Sequence, residues 1–143
     1  GLFGINHDPQ FAGQLRPVLS WRSSISQIKS LEPGACVGYG CSQRIQYKQN
    51  MAIIPVGYAD GFKRSLSEGT GGVYINGQFC PTIGRVCMDM IMVKVPDEVG
   101  LQDEVEIIGP HQTLLDFAEA AHTIPYEILT SISPRVQRTY TND

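Results

Sequence analysis

The sequence predicts a mainly β domain, an antiparallel β-barrel or sandwich with one short helix near the carboxy terminus. Three observations carry this. The 143 residues include 15 glycines and 9 prolines, residue types that punctuate tight turns. Apolar residues fall mostly in short runs bounded by those turn residues, the pattern of strands in a barrel or sandwich. Helical spacing of apolar residues stands out late in the chain. With 42% apolar and 17% charged residues in 15.7 kDa, the chain is long enough to bury a core and corresponds to one domain.

Residues 1–16 contain Asn6-His7-Asp8-Pro9 and Gly13, and read as a connecting loop after a short apolar opening. From Pro17 to Leu31 the pattern alternates imperfectly, with Leu19, Trp21 and Ile25 on one face, which predicts a long strand with a bulge. Glu32-Pro33-Gly34 then turns the chain. Met51 to Val56 is an apolar run ended by Gly57. Val73-Tyr74-Ile75 and Gln78-Phe79-Cys80 flank Asn76-Gly77, a strong hairpin signal because both turn positions require positive φ. Cys87 to Val95 places Ile91, Val93 and Val95 on one face and Met88, Met90 and Met92 on the other. Apolar residues on both faces predict a centrally buried strand. Glu104 to Ile108 supplies another strand. Thr113 can cap a helix running to about His122, with Asp116 in the first turn and Leu114, Phe117, Ala118 and Ala121 at helical spacing. Ser133-Pro134-Arg135-Val136 reads as a closing strand.

The net charge of −3, from 11 basic and 14 acidic residues scattered along the chain, leaves no footprint for a phosphate backbone, so nucleic acid is not expected as a partner. No apolar run approaches the roughly eighteen residues that a membrane-spanning helix needs, so no membrane partner is expected either. Cys36, Cys41, Cys80 and Cys87 lack the density of a secreted disulfide scaffold and read as reduced thiols of a cytoplasmic protein. No Cys-x-x-Cys pair occurs, and His7, His111 and His122 do not fall at ligand spacing beside the cysteines, so no metal site is expected.

Three ordered blocks concentrate tyrosine, glycine and acid: Gly38-Tyr39-Gly40, Val56-Gly57-Tyr58-Ala59-Asp60-Gly61 and Gly84-Arg85-Val86-Cys87-Met88-Asp89. On residue type alone each fits a structural role. Tyr39 would be a turn tyrosine, Tyr58 a packed loop residue, Met88 a core side chain, Asp89 a structural acceptor and Tyr126 a surface residue. Asp60-Gly61 reads as a turn pair. Taken together, and with Tyr126-Glu127 and Pro134-Arg135-Val136, the blocks resemble the carboxy-terminal β domain of the pyridoxal-phosphate-dependent alanine racemases.

That resemblance implies a division into the end of a preceding barrel with its connecting loop at 1–16 and the β domain at 17–143. It implies isomerase chemistry, the interconversion of L- and D-alanine, or of serine, with D-alanine destined for peptidoglycan. Tyr39 corresponds to the tyrosine that exchanges the α-proton on one face of the substrate. Tyr58 lines the substrate entrance, the Met88 backbone amide binds the substrate carboxylate with Asp89 beside it, and Tyr126 donates to the cofactor phosphate. A phenol, with an ordinary pKa of about 10, needs positive charge nearby to act as a base at neutral pH. The resemblance places that charge, and the lysine that forms a Schiff base with pyridoxal phosphate, in an amino-terminal barrel. No segment like Val-Lys-Ala-Asn-Ala-Tyr-Gly-His-Gly occurs here, so the chain reads as a fragment that is inactive alone. A head-to-tail homodimer is implied, with Tyr39, Tyr58 and Met88 completing the partner's site. The competing reading, a stand-alone β-barrel that binds a ligand or protein without catalysis, leaves the three blocks unexplained. Arg135 is assigned no chemistry.

Overall fold

The computed structural model describes residue 10 and residues 15–142. The expected barrel end and connecting loop at 1–16 therefore lie almost wholly outside the described residues. Among the described residues nine strands come in order: β1 (Trp21–Ser23), β2 (Gln27–Leu31), β3 (Cys36–Val37), β4 (Gln43–Arg44), β5 (Gln49–Ile54), β6 (Gly72–Ile75), β7 (Gln78–Pro81), β8 (Ile91–Val95) and β9 (Val105–Ile108). Helices α1 (Leu114–Ala120) and α2 (Pro125–Ser131) follow. All pairings are antiparallel, in the orders β1-β9-β6-β7, β2-β5-β8 and β3-β4. A bridge between Thr82, just past β7, and Val93 of β8 joins the two larger sheets.

The mainly β architecture is as expected, with differences that have physical reasons. The segment from Pro17 to Leu31 is two strands rather than one bulged strand. Trp21–Ser23 pairs with β9, whereas Gln27–Leu31 pairs with β5 in the other sheet. Trp21 and Ile25 are buried as the alternation requires, but the chain changes sheets between them. Alternation reports which side chains face the core and is silent on which strand supplies the hydrogen bonds.

The Asn76-Gly77 hairpin forms, with φ of 52° and 75° at its two turn residues. The strand expected from Cys87 begins only at Ile91, because Cys87 N–H donates to the Met90 carbonyl (3.0 Å) and closes a turn. Burial on the second face is narrower than expected, because the turn takes Met88 and Met90 out of the strand and leaves them exposed, and Lys94 beside Met92 is only half-buried. Ile91, Val93 and Val95 join the main core, and Met92 joins a smaller one with Val37, Ile45, Met51 and Ile83.

Helix α1 begins as the sequence indicates. Thr113 Oγ1 accepts from Asp116 N–H (3.1 Å), and Asp116 Oδ2 accepts from Thr113 N–H (3.0 Å). This reciprocal cap satisfies two amide donors that the helix leaves open. A second helix, α2, was not expected. Pro125 opens it at a first-turn position that costs proline no hydrogen bond, and only Ile128 of its seven residues is fully buried, so its apolar periodicity is faint. Residues 133–136 form a turn, closed by Val136 N–H to the Ser133 carbonyl (3.0 Å), instead of the expected closing strand.

The cysteines depart from the expectation of four reduced thiols. Cys36 and Cys41 form a disulfide, while buried Cys80 and partly exposed Cys87 are free. The β3–β4 hairpin brings the Cys36 and Cys41 Cα atoms to 4.9 Å, within bridging range. A count of cysteines carries no information about that approach.

The main core is organised around Phe117, whose ring meets Trp21 edge-on (centroids 6.2 Å) and Phe62 (5.6 Å). Phe117 therefore ties α1 to β1 and to the loop after β5. Truncation to alanine removes these contacts and leaves a cavity, so Phe117→Ala is expected to cost about 3–5 kcal/mol. Exposed Leu115→Ala on the same helix should stay within about 0.5 kcal/mol of the parent. Urea unfolding midpoints of the two variants check the difference, and equal midpoints would contradict the assignment of Phe117 to the core.

Candidate active site

The second and third sequence blocks are the extensions of one strand pair. β5 and β8 run antiparallel with Ile54 opposite Ile91, so the chain leaving β5 and the chain entering β8 emerge side by side. They stay in contact beyond the ladder. Tyr58 N–H donates to the Cys87 carbonyl (3.0 Å), and Ala59 N–H donates to the Met88 carbonyl (3.0 Å). Gly57 sits at the closest approach, where a β-carbon would lie 2.3 Å from both the Cys87 and Met88 carbonyl oxygens. Only glycine allows that contact.

Asp60 closes the loop from inside. It is 9% exposed, and its Oδ2 accepts from Gly57 N–H (2.9 Å). Its Oδ1 accepts from Arg135 Nε (2.6 Å), and a terminal nitrogen of the same guanidinium donates to Asp89 Oδ1 (2.6 Å). Ser133 N–H adds a bond to the Asp60 carbonyl (2.9 Å). One arginine thus joins the 57–62 loop, the 87–90 turn and the segment after α2. Burial pushes the Asp60 carboxyl up, but the Arg135 hydrogen bond, the Gly57 N–H and the Arg135 charge outweigh it and hold the carboxyl below its ordinary value. Arg135 is in turn held more firmly protonated by its bonds to Asp60 and Asp89.

Tyr58, Met88 and Asp89 therefore share one surface. Tyr58 is 45% exposed and Met88 53%. Among the described residues the Met88 N–H has no hydrogen-bond partner, although its carbonyl is taken by Ala59. This leaves a backbone donor beside a half-exposed tyrosine.

Tyr39 occupies the tip of the β3–β4 hairpin, in a turn closed by Cys41 N–H to the Gly38 carbonyl (3.1 Å). The hairpin leans on the third block. Ser42 Oγ accepts from Arg85 N–H (3.2 Å) and Gln43 Oε1 accepts from Gly84 N–H (2.8 Å), with Gly38 and Gly84 in backbone contact. The Tyr39 ring is 85% exposed and makes no hydrogen bond or ring contact among the described residues. Tyr126 lies in the first turn of α2, half-exposed, and α2 is tethered to the 57–62 loop side by Lys63–Glu127 (3.6 Å). The structure thus gathers the three blocks on one framework and links Tyr126 to it through α2. A cleft of about 740 Å³ lined by residues including Leu19, Arg22, Ile108 and Thr113 contains none of these residues.

Sequence reasoning missed two members. Asp60 is far more than a turn residue, and Arg135, given no role, is the cation that links two of the blocks. The signal was available: an acid inside a glycine-rich block destined for burial needs a cation, and Arg135 stands in a block of its own.

The comparisons fit this geometry. The profile of the alanine racemase C-terminal domain family matches residues 18–140. An alanine racemase from Halothermothrix orenii is 44% identical over 134 residues, covering 90% of this chain and 35% of that protein. One from Geobacter sulfurreducens is 41% identical over 99% of this chain and 39% of its own length. Among solved structures, alanine racemase from Bartonella henselae with covalently bound pyridoxal phosphate superposes with a TM-score of 0.88 at 36% identity, over 97% of this chain and 39% of that one. The Bacillus anthracis enzyme with bound L-Ala-P gives 0.83 at 33% identity, over 94% of this chain and 36% of that one. The chain thus spans little more than a third of these proteins. A profile match over nearly every described residue, joined to the same fold at 33–36% identity, settles the family: the chain belongs to the alanine racemase C-terminal domains.

Proposed function

We propose that this chain supplies one wall of an alanine racemase active site, completed by an amino-terminal barrel of the same protein and by a second copy in a homodimer. The observation that carries the reading is the exposed Tyr39 phenol, held at a hairpin tip and turned toward no other described residue of its own chain. Such a side chain suits a site built from another domain or subunit. Tyr39 then moves the α-proton on one face of the substrate, Tyr58 lines the entrance, and the open Met88 N–H binds the substrate carboxylate next to Asp89. An unpaired backbone donor binds an anion without a buried charge of its own.

Pyridoxal phosphate, when bound, supplies the electron sink that removal of an α-proton requires. The residues present fit a supporting part in holding it. Tyr126 offers a half-exposed phenol that can donate to a phosphate oxygen, while the Schiff-base lysine and most of the phosphate contacts belong to the proposed amino-terminal barrel, outside this chain. The cellular setting proposed is the cytoplasm, where D-alanine would feed peptidoglycan synthesis. No helix among the described residues is long and apolar enough to cross a membrane.

Tyr39→Phe in the full-length protein should lower racemisation by about 10²–10⁴-fold, the range expected for loss of one positioned proton-transfer group. Since the enantiomers are of equal energy, kcat/KM falls equally in both directions. Solvent-deuterium exchange without inversion separates the faces: it should survive for one enantiomer and vanish for the other. Exchange retained equally by both enantiomers would remove Tyr39 from the mechanism.

Supply of Tyr39 across a subunit boundary predicts complementation. Mixing a Tyr39→Phe protein with one lacking its Schiff-base lysine should place both defects in one site of a heterodimer and neither in the other. Partial activity should return on verified subunit exchange, and no recovery would place the whole site within one chain.

The clamp of Asp60, Arg135 and Asp89 holds the Met88 turn against the Tyr58 loop, so the wall should loosen in acid. The folded-state pKa of Asp60 is depressed, so its stabilisation is fully present above the ordinary value of 3.8 and is lost as pH falls through the lower, folded value. Asp60→Asn should therefore be less stable than the parent at neutral pH and show a smaller further loss on acidification. Thermal unfolding midpoints at neutral and acid pH measure this, and parallel pH profiles would contradict it.

A further inference from the structure

We propose that Cys36 and Cys41 form a reversible thiol–disulfide site whose state sets the order of the Tyr39 turn and hence the turnover of the active site. The regulatory half rests on the reading of Tyr39 given above. The two cysteines lie five residues apart and bracket Val37-Gly38-Tyr39-Gly40, so their bond closes a small ring with Tyr39 at its tip. Both are exposed, within reach of a dissolved reductant. The other thiols differ. Cys80 is fully buried, and burial pushes its thiol up to about 11 against the opposing Ile75 backbone bond, which suppresses the reactive thiolate. Cys87 is partly covered and its sulfur contacts the Arg85 carbonyl (3.6 Å).

The base of the hairpin is fastened by Val37 in the smaller core and by the Ser42–Arg85 and Gln43–Gly84 bonds, but its tip at 39–41 has little beyond the disulfide to hold it. The β3–β4 ladder is two residues long on each strand, pairing Cys36 with Arg44 and Val37 with Gln43. Beyond it, the Cys41–Gly38 bond closes the turn, and Cys41 itself adopts φ of 55°, a backbone region that costs a residue with a β-carbon energy. The Tyr39 ring makes no hydrogen bond or ring contact among the described residues, so its position follows the backbone of the turn alone. Opening the ring removes the covalent restraint that keeps Cys41 in its left-handed conformation and lets the turn sample others.

The chemistry is thiol–disulfide exchange. A thiolate of a dithiol reductant attacks one cysteine sulfur, the S–S bond breaks, and its electron pair leaves on the other cysteine. The second reductant thiolate then displaces the protein sulfur from the mixed disulfide. Two electrons and two protons end on Cys36 and Cys41, and the dithiol becomes a cyclic disulfide. A small-molecule disulfide reverses the exchange.

The test uses the full-length protein containing this chain, equilibrated with dithiothreitol or with oxidised glutathione. Iodoacetamide labelling should map to Cys36 and Cys41 only after reduction, and Cys80 should stay unlabelled in the folded protein. Amide hydrogen exchange at residues 39–41 should accelerate by about tenfold or more on reduction, as local opening becomes easier. Racemase kcat should fall by about tenfold to hundredfold, since small misplacement of a reacting group costs that much, and should return on reoxidation. A Cys36→Ser, Cys41→Ser double variant should sit at the reduced rate and ignore redox state. Failure to recover a Cys36–Cys41 crosslinked peptide after oxidation, or identical exchange in both states, overturns the site. Racemase activity that is present but unmoved by redox state overturns the regulation. If labelling and exchange respond while no state racemises alanine, the catalytic reading of Tyr39 fails and the thiol–disulfide site stands.

Discussion

The backbone of Gly57 lies against the carbonyl oxygens of Cys87 and Met88 at a distance that no β-carbon could share. Two peptide hydrogen bonds fasten the loop after β5 to the turn before β8 at this point. Through that contact Tyr58 and Met88 come to one surface, and the Met88 carbonyl is occupied while its N–H is left open among the described residues. The turn itself exists because Cys87 N–H finds Met90 within its own segment, which delays β8 until Ile91. A sheet that continued its ladder through Cys87 would have spent these amides on a neighbouring strand.

Electrostatics reinforces what the backbone contact begins. Arg135 reaches Asp60 and Asp89 with two nitrogens of one planar guanidinium, a fork that lysine cannot reproduce. Asp60 is the buried partner and Asp89 the exposed one, so the pairing with Asp60 holds structure while Asp89 remains next to the candidate substrate wall. The segment carrying Arg135 follows α2, which also presents Tyr126. The late helix and the turn after it thus connect the remote end of the chain to the strand ends that carry Tyr58 and Met88.

Tyr39 is held by a different principle. Its hairpin is small, its ladder short, and its contact with the rest of the domain runs through Ser42, Gln43 and the close pair of Gly38 and Gly84. The hydrophobic core reaches only its base, at Val37. A tip outside the core keeps the phenol exposed, and the bond between Cys36 and Cys41 provides order where packing does not.

By itself the sequence determined the elements whose cause is local. Asn76-Gly77 made its hairpin because both residues tolerate positive φ, Thr113 with Asp116 capped α1 because the donors and acceptors lie three residues apart, and the apolar alternation of β8 named Ile91, Val93 and Val95 as a buried face. The family blocks also marked Tyr39, Tyr58, Met88, Asp89 and Tyr126 as residues to watch. Tertiary structure alone decided the rest. The chain changes sheets between Trp21 and Gln27 because hydrogen-bond partners are chosen across the fold, not along the strand. Pro125 opens a helix in which only Ile128 is fully buried, with Leu129 packed partly buried beside the core. Cys36 and Cys41 meet because a hairpin closes, and Arg135 finds Asp60 across seventy-five positions of sequence. Each of these is a contact between segments distant in sequence or turned by a backbone path that residue patterns do not encode, and for Asp60 it is burial that makes the pairing with Arg135 necessary.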